Sequence, residues 1–319
     1  MTQRIVLLFP GQASQYVGMG RLAVARYPAA AEVFSRVDAA LGEPISQICF
    51  EGPAERLRET RQQQPAVFAC SLALYQAWRQ GSGEADQVVG ATGHSLGEYT
   101  ALVAAGALSL EDAARLVAVR GRLMQEAADR TPGGMIAIIG MDRARVETIC
   151  AEASRPDAGP EEVVVLANDN SPEQQVIAGG LAALERAASL ARAQGARRTI
   201  PLKVAGAFHS PLMAPAVEEL ATEIERVPVS PCRFLVIANS TAAPLGTEAE
   251  IREELIRQVT APVRWVESIR RLGEWAPDLW VDSGPGNVVA GLAARVLPGI
   301  ETLAIGALID SAGGVETKP

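Results

Sequence analysis

A serine between two glycines offers the clearest chemistry in the sequence. Gly93, Ser95 and Gly97 form a G-x-S-x-G pattern that follows a short apolar run and precedes a helical one. A tight turn from strand to helix leaves no room for side chains beside the serine, and it presents the hydroxyl at a helix N-terminus. The backbone N–H of Leu96 would then point to where an oxyanion forms. The pattern predicts a nucleophile; the alternative is a glycine-rich turn that binds nothing.

Two histidines are available to activate this serine, which needs a general base at neutral pH. His94 is next to Ser95 along the chain, and its side chain is expected to diverge around the turn. His209, in the segment GAFHS, is therefore the predicted base, although a single histidine is more often structural. Asp282 follows a predicted strand and is a candidate for orienting the base. The sequence leaves open whether a carboxylate or a backbone carbonyl does so.

Two more polar residues lie where a site is expected to form. Gln12 comes soon after the apolar run 5–9, and the ends of parallel strands are where open sheets build their sites. The alternative for Gln12 is an exposed loop glutamine. Arg120 has the apolar residues Leu116 and Val117 as neighbours in helical register. It is either paired with a carboxylate or free to bind an anionic ligand, and the spacing favours neither.

The elements that would position these residues alternate between strands and helices. A larger α/β body is predicted from four short apolar runs, at 5–9, 88–93, 234–239 and 279–283. Between about 135 and 203 the predicted order is strand, helix, strand, strand, helix, strand, which is that of a ferredoxin-like unit. We therefore expect a small subdomain at 131–204, inserted into a large subdomain formed by 1–130 and 205–319.

Helices are predicted from apolar spacing and from residues typical of helix ends. Pro65 is expected in the first turn of an apolar helix over 65–79. Ser109, with Asp112 three residues later, marks the start of another helix. A further helix is expected to begin near Ser95.

The composition is that of an ordinary globular protein and excludes several classes. The 319 residues are 48% hydrophobic but only 4% aromatic, so the core must be mostly aliphatic. The formal net charge of −8 argues against a nucleic-acid partner and a polybasic membrane anchor. No apolar run approaches the ~20 residues of a membrane helix. The four cysteines form no C-x-x-C pair, so we expect no metal site and reduced thiols in a cytoplasmic protein.

Eight features in order resemble the malonyl-CoA:acyl carrier protein transacylases and the acyltransferase domains of polyketide and fatty acid synthases. They are FPGQASQ (9–15), QPAVF (64–68), GHSLGEY (93–99), Arg120, NSPEQQVIAG (170–179), GAFHS (206–210), QVTAPVRW (258–265) and SGPGNVV (283–289). The resemblance extends from residue 3 to about residue 292. It implies an α/β-hydrolase-like large subdomain with a parallel sheet and an inserted ferredoxin-like small subdomain, in agreement with the predicted order of elements.

The resemblance also implies a role for each residue at the reacting centre. Ser95 would be acylated by a coenzyme A thioester in a ping-pong mechanism, with His209 as the base. The side chain of Gln258, or nearby backbone carbonyls, would hold this histidine. The N–H groups of Gln12 and Leu96 would form the oxyanion hole.

Substrate selection is assigned to further residues by the same resemblance. Arg120 would hold the free carboxylate of the malonyl group through a bidentate pair. Phe208 would occupy the space that an α-methyl group needs, and simple packing is the alternative for it. Asn168, Asn170 and His94 would lie near the cleft.

The expected partners are malonyl-CoA and an acyl carrier protein that carries phosphopantetheine, with no cofactor of the chain's own. Because carrier proteins are acidic, Arg197 and Arg198 are candidates for docking, and solvated surface arginines are the alternative. One position departs from the family pattern, since its common NSPGQ reads NSPEQ here. Glu173 would alter contacts with the phosphates of coenzyme A or of the carrier arm. We expect a free-standing monomer.

Three other functions stay open at this stage. The first is an acyl-thioester hydrolase, and Arg120 argues against it because a simple acyl chain has no carboxylate to bind. The others are the malonyl-transfer subunit of a malonate decarboxylase and an inactive docking module. The presence of Ser95, His209 and Arg120 together argues against the inactive module. The sequence does not distinguish fatty acid from polyketide synthesis.

Overall fold

Two sheets organise the chain, of which the structure, a computed structural model, describes residues 3–82 and 87–312. The strands in these ranges are β1 (Ile5–Phe9), β2 (Val88–Gly93), β3 (Gly133–Ile139), β4 (Val164–Ser171), β5 (Gln174–Gly180), β6 (Arg198–Pro201), β7 (Leu235–Ile237), β8 (Leu279–Asp282) and β9 (Thr302–Ala304).

Helices cover both sheets. Those in the described ranges are α1 (Arg21–Arg26), α2 (Pro28–Leu41), α3 (Ile45–Glu51), α4 (Ala54–Arg58), α5 (Thr60–Ser82), α6 (Gly97–Ala104), α7 (Leu110–Arg130), α8 (Arg143–Ala153), α9 (Leu181–Ala193), α10 (Val217–Arg226), α11 (Glu248–Arg257), α12 (Trp265–Gly273), α13 (Val288–Val296) and α14 (Ile305–Ala312). Short 3₁₀ helices span Pro156–Ala158, Pro160–Glu162 and Pro211–Ala216. Among the described residues, no helix is both long enough and apolar enough to cross a membrane.

The larger sheet is parallel and has five strands in the order β7-β2-β1-β8-β9. All five residues of the central strand β1 are buried, which is why this strand is a continuous apolar run instead of an alternating one. Phe9, the last residue of β1, pairs with Gly93, the last residue of β2. The loops that carry Gln12 and Ser95 therefore leave the sheet side by side.

The smaller sheet is antiparallel and has the order β4-β5-β3-β6. Its elements follow the predicted ferredoxin-like sequence, with α8 after β3 and α9 after β5. Ile136 and Ile138 of β3 pack in a core shared with α8 and α9, whereas the alternate residues Met135 and Ala137 join the core of the larger body. This two-residue period places one face of the sheet against its helices and the other toward the larger body.

The helix that contains Pro65 begins earlier than the sequence predicted. α5 starts at Thr60, so Pro65 lies inside the helix and not in its first turn. The prediction was wrong because the preceding turn is polar, with three consecutive glutamines. These glutamines, at 62–64, are nevertheless buried. Their side chains make polar contacts with other parts of the fold, where an apolar side chain would make hydrophobic ones.

Candidate functional site

Ser95 lies in a tight turn between β2 and α6. Its φ is 54°, in the left-handed region that is unfavourable for residues with a Cβ. The flanking glycines make the turn possible: a Cβ on Gly93 would lie 1.9 Å from the carbonyl carbon of Gly97. A Cβ on Gly97 would lie 2.3 Å from the carbonyl oxygen of Phe9. The strained turn therefore depends on the two glycines of the G-x-S-x-G pattern.

Asn239, which the sequence analysis did not identify, ties this turn to the neighbouring strand. Its Oδ1 accepts a hydrogen bond from the N–H of Ser95 at 2.7 Å, and its Nδ2 donates to the carbonyl of Gly93 at 2.7 Å. The residue follows β7, which pairs with β2. Its position after an apolar run is a weak signal, because the order of strands in a parallel sheet cannot be read from local sequence.

His209 is positioned to act on Ser95. Its Nε2 lies 2.8 Å from the Oγ of Ser95, and its Nδ1 lies 2.8 Å and 3.1 Å from the backbone carbonyls of Gln258 and Ala261. Because carbonyls only accept, Nδ1 carries the proton and Nε2 is left to accept one from the serine. Burial, with a contribution from the positive charge of Arg120, lowers the pKa of His209 to about 3. The imidazole is therefore neutral and can take up a proton.

The group that orients His209, left open by the sequence, is the backbone and not a carboxylate. The side chain of Gln258 does not reach the imidazole, since its Oε1 instead accepts from Arg120 at 2.8 Å. Asp282 accepts hydrogen bonds from the N–H groups of Gly284 and Ala290, each at 3.0 Å. These bonds place the carboxylate of Asp282 at the start of α13, where it accepts from the loop before the helix and from the first turn of the helix.

Arg120 is fully buried directly behind the nucleophile. Its Nη2 donates to the Oγ of Ser95 at 3.0 Å and to Gln258, and its Nη1 donates to the Oε1 of Gln64 at 2.7 Å. Within the described residues no carboxylate lies within ion-pair distance of Arg120, and its Nε has no hydrogen-bond partner. The protein acceptors are thus all uncharged. A buried cation whose direct partners are neutral can form a charge-assisted pair with an anionic ligand.

A cavity of about 550 Å³ opens onto Ser95 and His209. Its wall combines loops of the larger sheet with β3, β5 and α13, and the predicted residues Gln12, His94, Asn168, Asn170 and Phe208 all line it. Leu96 is buried outside this lining. In the described part of the chain, no group of three or more His, Cys, Asp or Glu residues could hold a metal ion.

Several of the predicted residues meet one another inside this cavity. His94 donates from Nε2 to the Oδ1 of Asn170 at 2.8 Å, so it is turned away from Ser95, as expected. Gln12 donates from its side chain to Gln63. Among the described residues, no group accepts a hydrogen bond from the backbone N–H of Gln12 or of Leu96. The N–H of Leu96, which follows Ser95 in sequence, and that of Gln12 in the cavity wall are therefore not engaged by the described residues.

Arg295, which the sequence analysis missed, is a cationic residue in the cavity lining. It lies near the end of α13, and its Nη1 donates to the Oε1 of Gln174 at 2.9 Å. Its place over the cavity depends on how α13 packs, which local sequence does not show. The predicted docking residues do not line the cavity: Arg197 pairs with Glu173, and Arg198 is exposed on β6.

Comparison with known proteins agrees with this geometry. Residues 6–296 match the family model described as acyl transferase domain. The chain belongs to the acyl transferase domain family. It is therefore an acyltransferase, as the sequence predicted, and the predicted fold class is confirmed by solved members of the family.

Relatives of this acyltransferase match it over nearly the full length. It is 41% identical over 308 residues to the malonyl CoA-acyl carrier protein transacylase of Escherichia coli K12, a match that covers 97% of this chain and 96% of the relative. The transacylase structure from Coxiella burnetii has a TM-score of 0.91 at 37% identity, over 98% of this chain and 97% of that one. A malonyl-transacylase solved in complex with a type II polyketide synthase acyl-carrier protein has a TM-score of 0.90 at 36% identity, over 97% and 98%.

Proposed function

We propose that this acyltransferase moves a malonyl group from coenzyme A to the phosphopantetheine thiol of an acyl carrier protein. The observation that carries the proposal is the position of Arg120, whose Nη2 lies 3.0 Å from the Oγ of Ser95 without a carboxylate partner. A nucleophile beside a buried cation suits an acyl group that ends in a carboxylate. The names of the relatives, which are malonyl CoA-acyl carrier protein transacylases, support the same substrate and partner.

Acylation begins when the Oγ of Ser95 attacks the thioester carbonyl of malonyl-CoA and His209 takes the serine proton on Nε2. The N–H groups of Gln12 and Leu96 stabilise the oxyanion of the tetrahedral intermediate. As the intermediate collapses, the C–S bond breaks, and the proton on His209 passes to the sulfur of coenzyme A. The product is a malonyl ester on Ser95.

The second half of the reaction reverses these steps with another thiol. The phosphopantetheine thiol of the carrier gives its proton to His209 and attacks the ester carbonyl. The ester C–O bond then breaks, and the proton returns to Ser95. Because the acyl-enzyme separates the two halves, the kinetics are ping-pong. During both halves Arg120 holds the malonyl carboxylate and fixes the position of the carbonyl.

The alternative activities lack comparable support. A hydrolase for simple acyl chains has no use for a cation buried behind its nucleophile. The three relatives described above carry the name of a transacylase. We place the product in chain extension of fatty acids or polyketides, because one relative was solved with a polyketide carrier.

Intact-protein mass spectrometry tests the proposal. After brief mixing with malonyl-CoA, a malonyl adduct should form on Ser95, and it should pass to an added acyl carrier protein faster than it is lost to water. The variant Ser95→Ala should show no adduct. Labelling that persists in Ser95→Ala, or an adduct lost equally fast with and without the carrier, would contradict the proposed transfer.

A further inference from the structure

Glu98 is a buried carboxylate that takes no part in the proposed transfer steps. It lies in the first turn of α6, three residues after Ser95, and none of its surface is exposed. Its Oε1 accepts a hydrogen bond from the backbone N–H of Asn239 at 2.9 Å, and its Oε2 accepts one from the Nε2 of Gln258. It therefore contacts two residues that in turn contact Ser95 or Arg120.

Arg120 fixes the direction of each hydrogen bond in the series that runs from Arg120 through Gln258 to Glu98. A guanidinium only donates, so Gln258 must turn its Oε1 to Arg120 and its Nε2 to Glu98. The backbone N–H of Asn239 also only donates. Glu98 therefore has to accept on both oxygens, which an ionised carboxylate does and an amide cannot. Burial, and after it the negative charge of Glu254, raise the pKa of Glu98 well above its ordinary range, and these two donors offset part of that rise.

We propose that Glu98 is a positioning residue for substrate selection: it orients the amide of Gln258 so that an oxygen, and not an N–H, faces Arg120. The guanidinium is thereby held next to Ser95 by a neutral acceptor. This inference rests on the proposed function, in which Arg120 binds the malonyl carboxylate.

The amide between Glu98 and Arg120 has a second consequence. The carboxylate lies one side chain away from the guanidinium, and no ion pair joins the two. A carboxylate in direct contact would occupy the donors that the substrate needs. Gln258 thus transmits the orientation set by Glu98 and keeps that carboxylate out of direct contact with Arg120.

The variant Glu98→Gln tests the proposal because it preserves size and removes one acceptor. Either an N–H of the new amide faces the N–H of Asn239, or the amide of Gln258 reverses and turns its own N–H toward Arg120. We expect the ratio of the acylation rate with malonyl-CoA to that with acetyl-CoA to fall by about tenfold or more. Mass spectrometry of Ser95 labelling measures both rates.

The variant Asp282→Asn is the matched control. Asp282 is also a buried carboxylate, and it accepts from the N–H groups of Gly284 and Ala290. It shares no hydrogen-bond partner with Glu98, which accepts from Asn239 and Gln258. The substitution replaces a buried carboxylate by an amide in the same way, so we expect it to change both acylation rates by the same factor and to leave their ratio as in the wild type.

The double variant Glu98→Gln/Gln258→Glu separates folding from selectivity. In it every donor again faces an acceptor, so its melting temperature should recover relative to Glu98→Gln. A carboxylate then touches Arg120 directly, and the preference for malonyl-CoA should stay lost. This variant decides the question even if Glu98→Gln alone does not fold.

The outcomes distinguish the inference from the function on which it rests. A wild type that malonyl-CoA does not label overturns the proposed function and the inference with it. A labelled wild type, with Glu98→Gln lowering the two rates equally, overturns the inference alone. A double variant that keeps the wild-type preference for malonyl-CoA overturns it as well.

Discussion

At the scale of single residues, the most informative contact is that between Arg120 and the nucleophile. The guanidinium donates to the Oγ of Ser95 in the unacylated protein. A substrate carboxylate would therefore replace the Oγ of Ser95 as the acceptor for this donor, and the arginine would move only a short distance. This arrangement predicts that the preference for an acyl group with a free carboxylate depends on charge pairing with Arg120.

The variant Arg120→Ala should lose malonyl transfer in preference to acetyl transfer. Hydrogen bonds to a charged group contribute about 1.5–3 kcal/mol, so acylation by malonyl-CoA should slow by about one to two orders of magnitude. Acylation by acetyl-CoA should slow much less, because it has no carboxylate to bind. Arg122→Ala is the control, because Arg122 lies on the same helix as Arg120 but is paired with Glu126 of that helix and Glu219 of α10. Equal losses with both substrates would exclude Arg120 as the carboxylate-binding group.

The buried His209 predicts an unusual dependence on pH. Its pKa in the folded protein is about 3, whereas an unfolded chain has a histidine pKa of about 6.5. The base should therefore stay neutral, and the single-turnover acylation rate should be nearly constant from pH 8 down to about pH 5. A rate that titrates near pH 6.5 would show that the base is more accessible to solvent than the structure indicates.

The same pKa shift has a consequence for stability. Below about pH 6.5 the unfolded chain binds a proton that the folded chain does not, so the free energy of unfolding falls as the pH is lowered from 6.5 toward 3. The burial of His94 lowers its pKa and acts in the same direction. The variant His209→Asn should lose less of its melting temperature between pH 7 and pH 5 than the wild type. A parallel loss in both proteins would assign the acid sensitivity to other groups.

Residue types and spacing were enough to single out Ser95, His209 and Arg120, although the role of Arg120 came only from the family resemblance, and the structure places His209 and Arg120 within hydrogen-bond distance of Ser95. Of the residues that support them, Gln258 was named, but Asn239, Glu98 and Gln64 were not. Glu98 lies inside a motif that was recognised as a whole, and Gln64 lies in another. Neither gave a signal of its own, because a buried polar residue differs from an exposed one only through partners that are distant in sequence.

At the scale of elements, the site depends on two adjacent strand ends. The N–H of His94 donates to the carbonyl of Phe9 at 2.8 Å, which joins the serine turn to the end of β1. The strands themselves were predictable from their apolar runs. The helix start at Thr60 was not, because three glutamines interrupt the apolar pattern there and their burial comes only from tertiary contacts.

Gly97→Ala should damage this junction. The new Cβ would lie 2.3 Å and 2.8 Å from the carbonyl oxygens of Phe9 and Pro10, which are backbone atoms and cannot move independently. We expect a loss of about 1–3 kcal/mol in the free energy of unfolding, as in other overpacked sites, together with a lower acylation rate. Chemical denaturation measures the first quantity.

Gly291→Ala on α13 is the control for the stability effect, since apart from its chain neighbours and its own helix backbone no atom lies within 4 Å of the new methyl group. Replacing a helical glycine by alanine in open space should stabilise the protein by about 0.5–1 kcal/mol. Similar stabilities for the two variants would contradict the close approach of Gly97 to β1.

At the scale of the whole molecule, charge decides how substrates approach. The chain has a formal net charge of −8, and both coenzyme A and acidic carrier proteins are negative, so the overall field opposes their approach. Arg295 is a cation within the cavity lining, and its contact with Gln174 is to a neutral amide. Its charge is therefore available to phosphate groups near the cavity.

Arg295→Glu should raise the KM for malonyl-CoA by about tenfold, which corresponds to about 1.4 kcal/mol, with little change in kcat. The increase should shrink as ionic strength rises, because salt screens exposed charges. Arg226→Glu makes the same change in net charge on α10, at an exposed arginine outside the cavity lining, and should have a small effect. Equal effects of the two variants would assign the change to net charge alone.

The cavity is built from two sheets, and this division matters for how such a protein acquires new substrates. Ser95 and the residues that hold it belong to the larger body, whereas Met135, Ala137 and Val176 of the smaller sheet contribute only wall. Substitutions at these three positions would reshape the space for the acyl group and leave the hydrogen bonds around the serine intact. A mutant library confined to them should therefore yield altered acyl preferences at a higher frequency than one spread over the loops that carry the reacting groups.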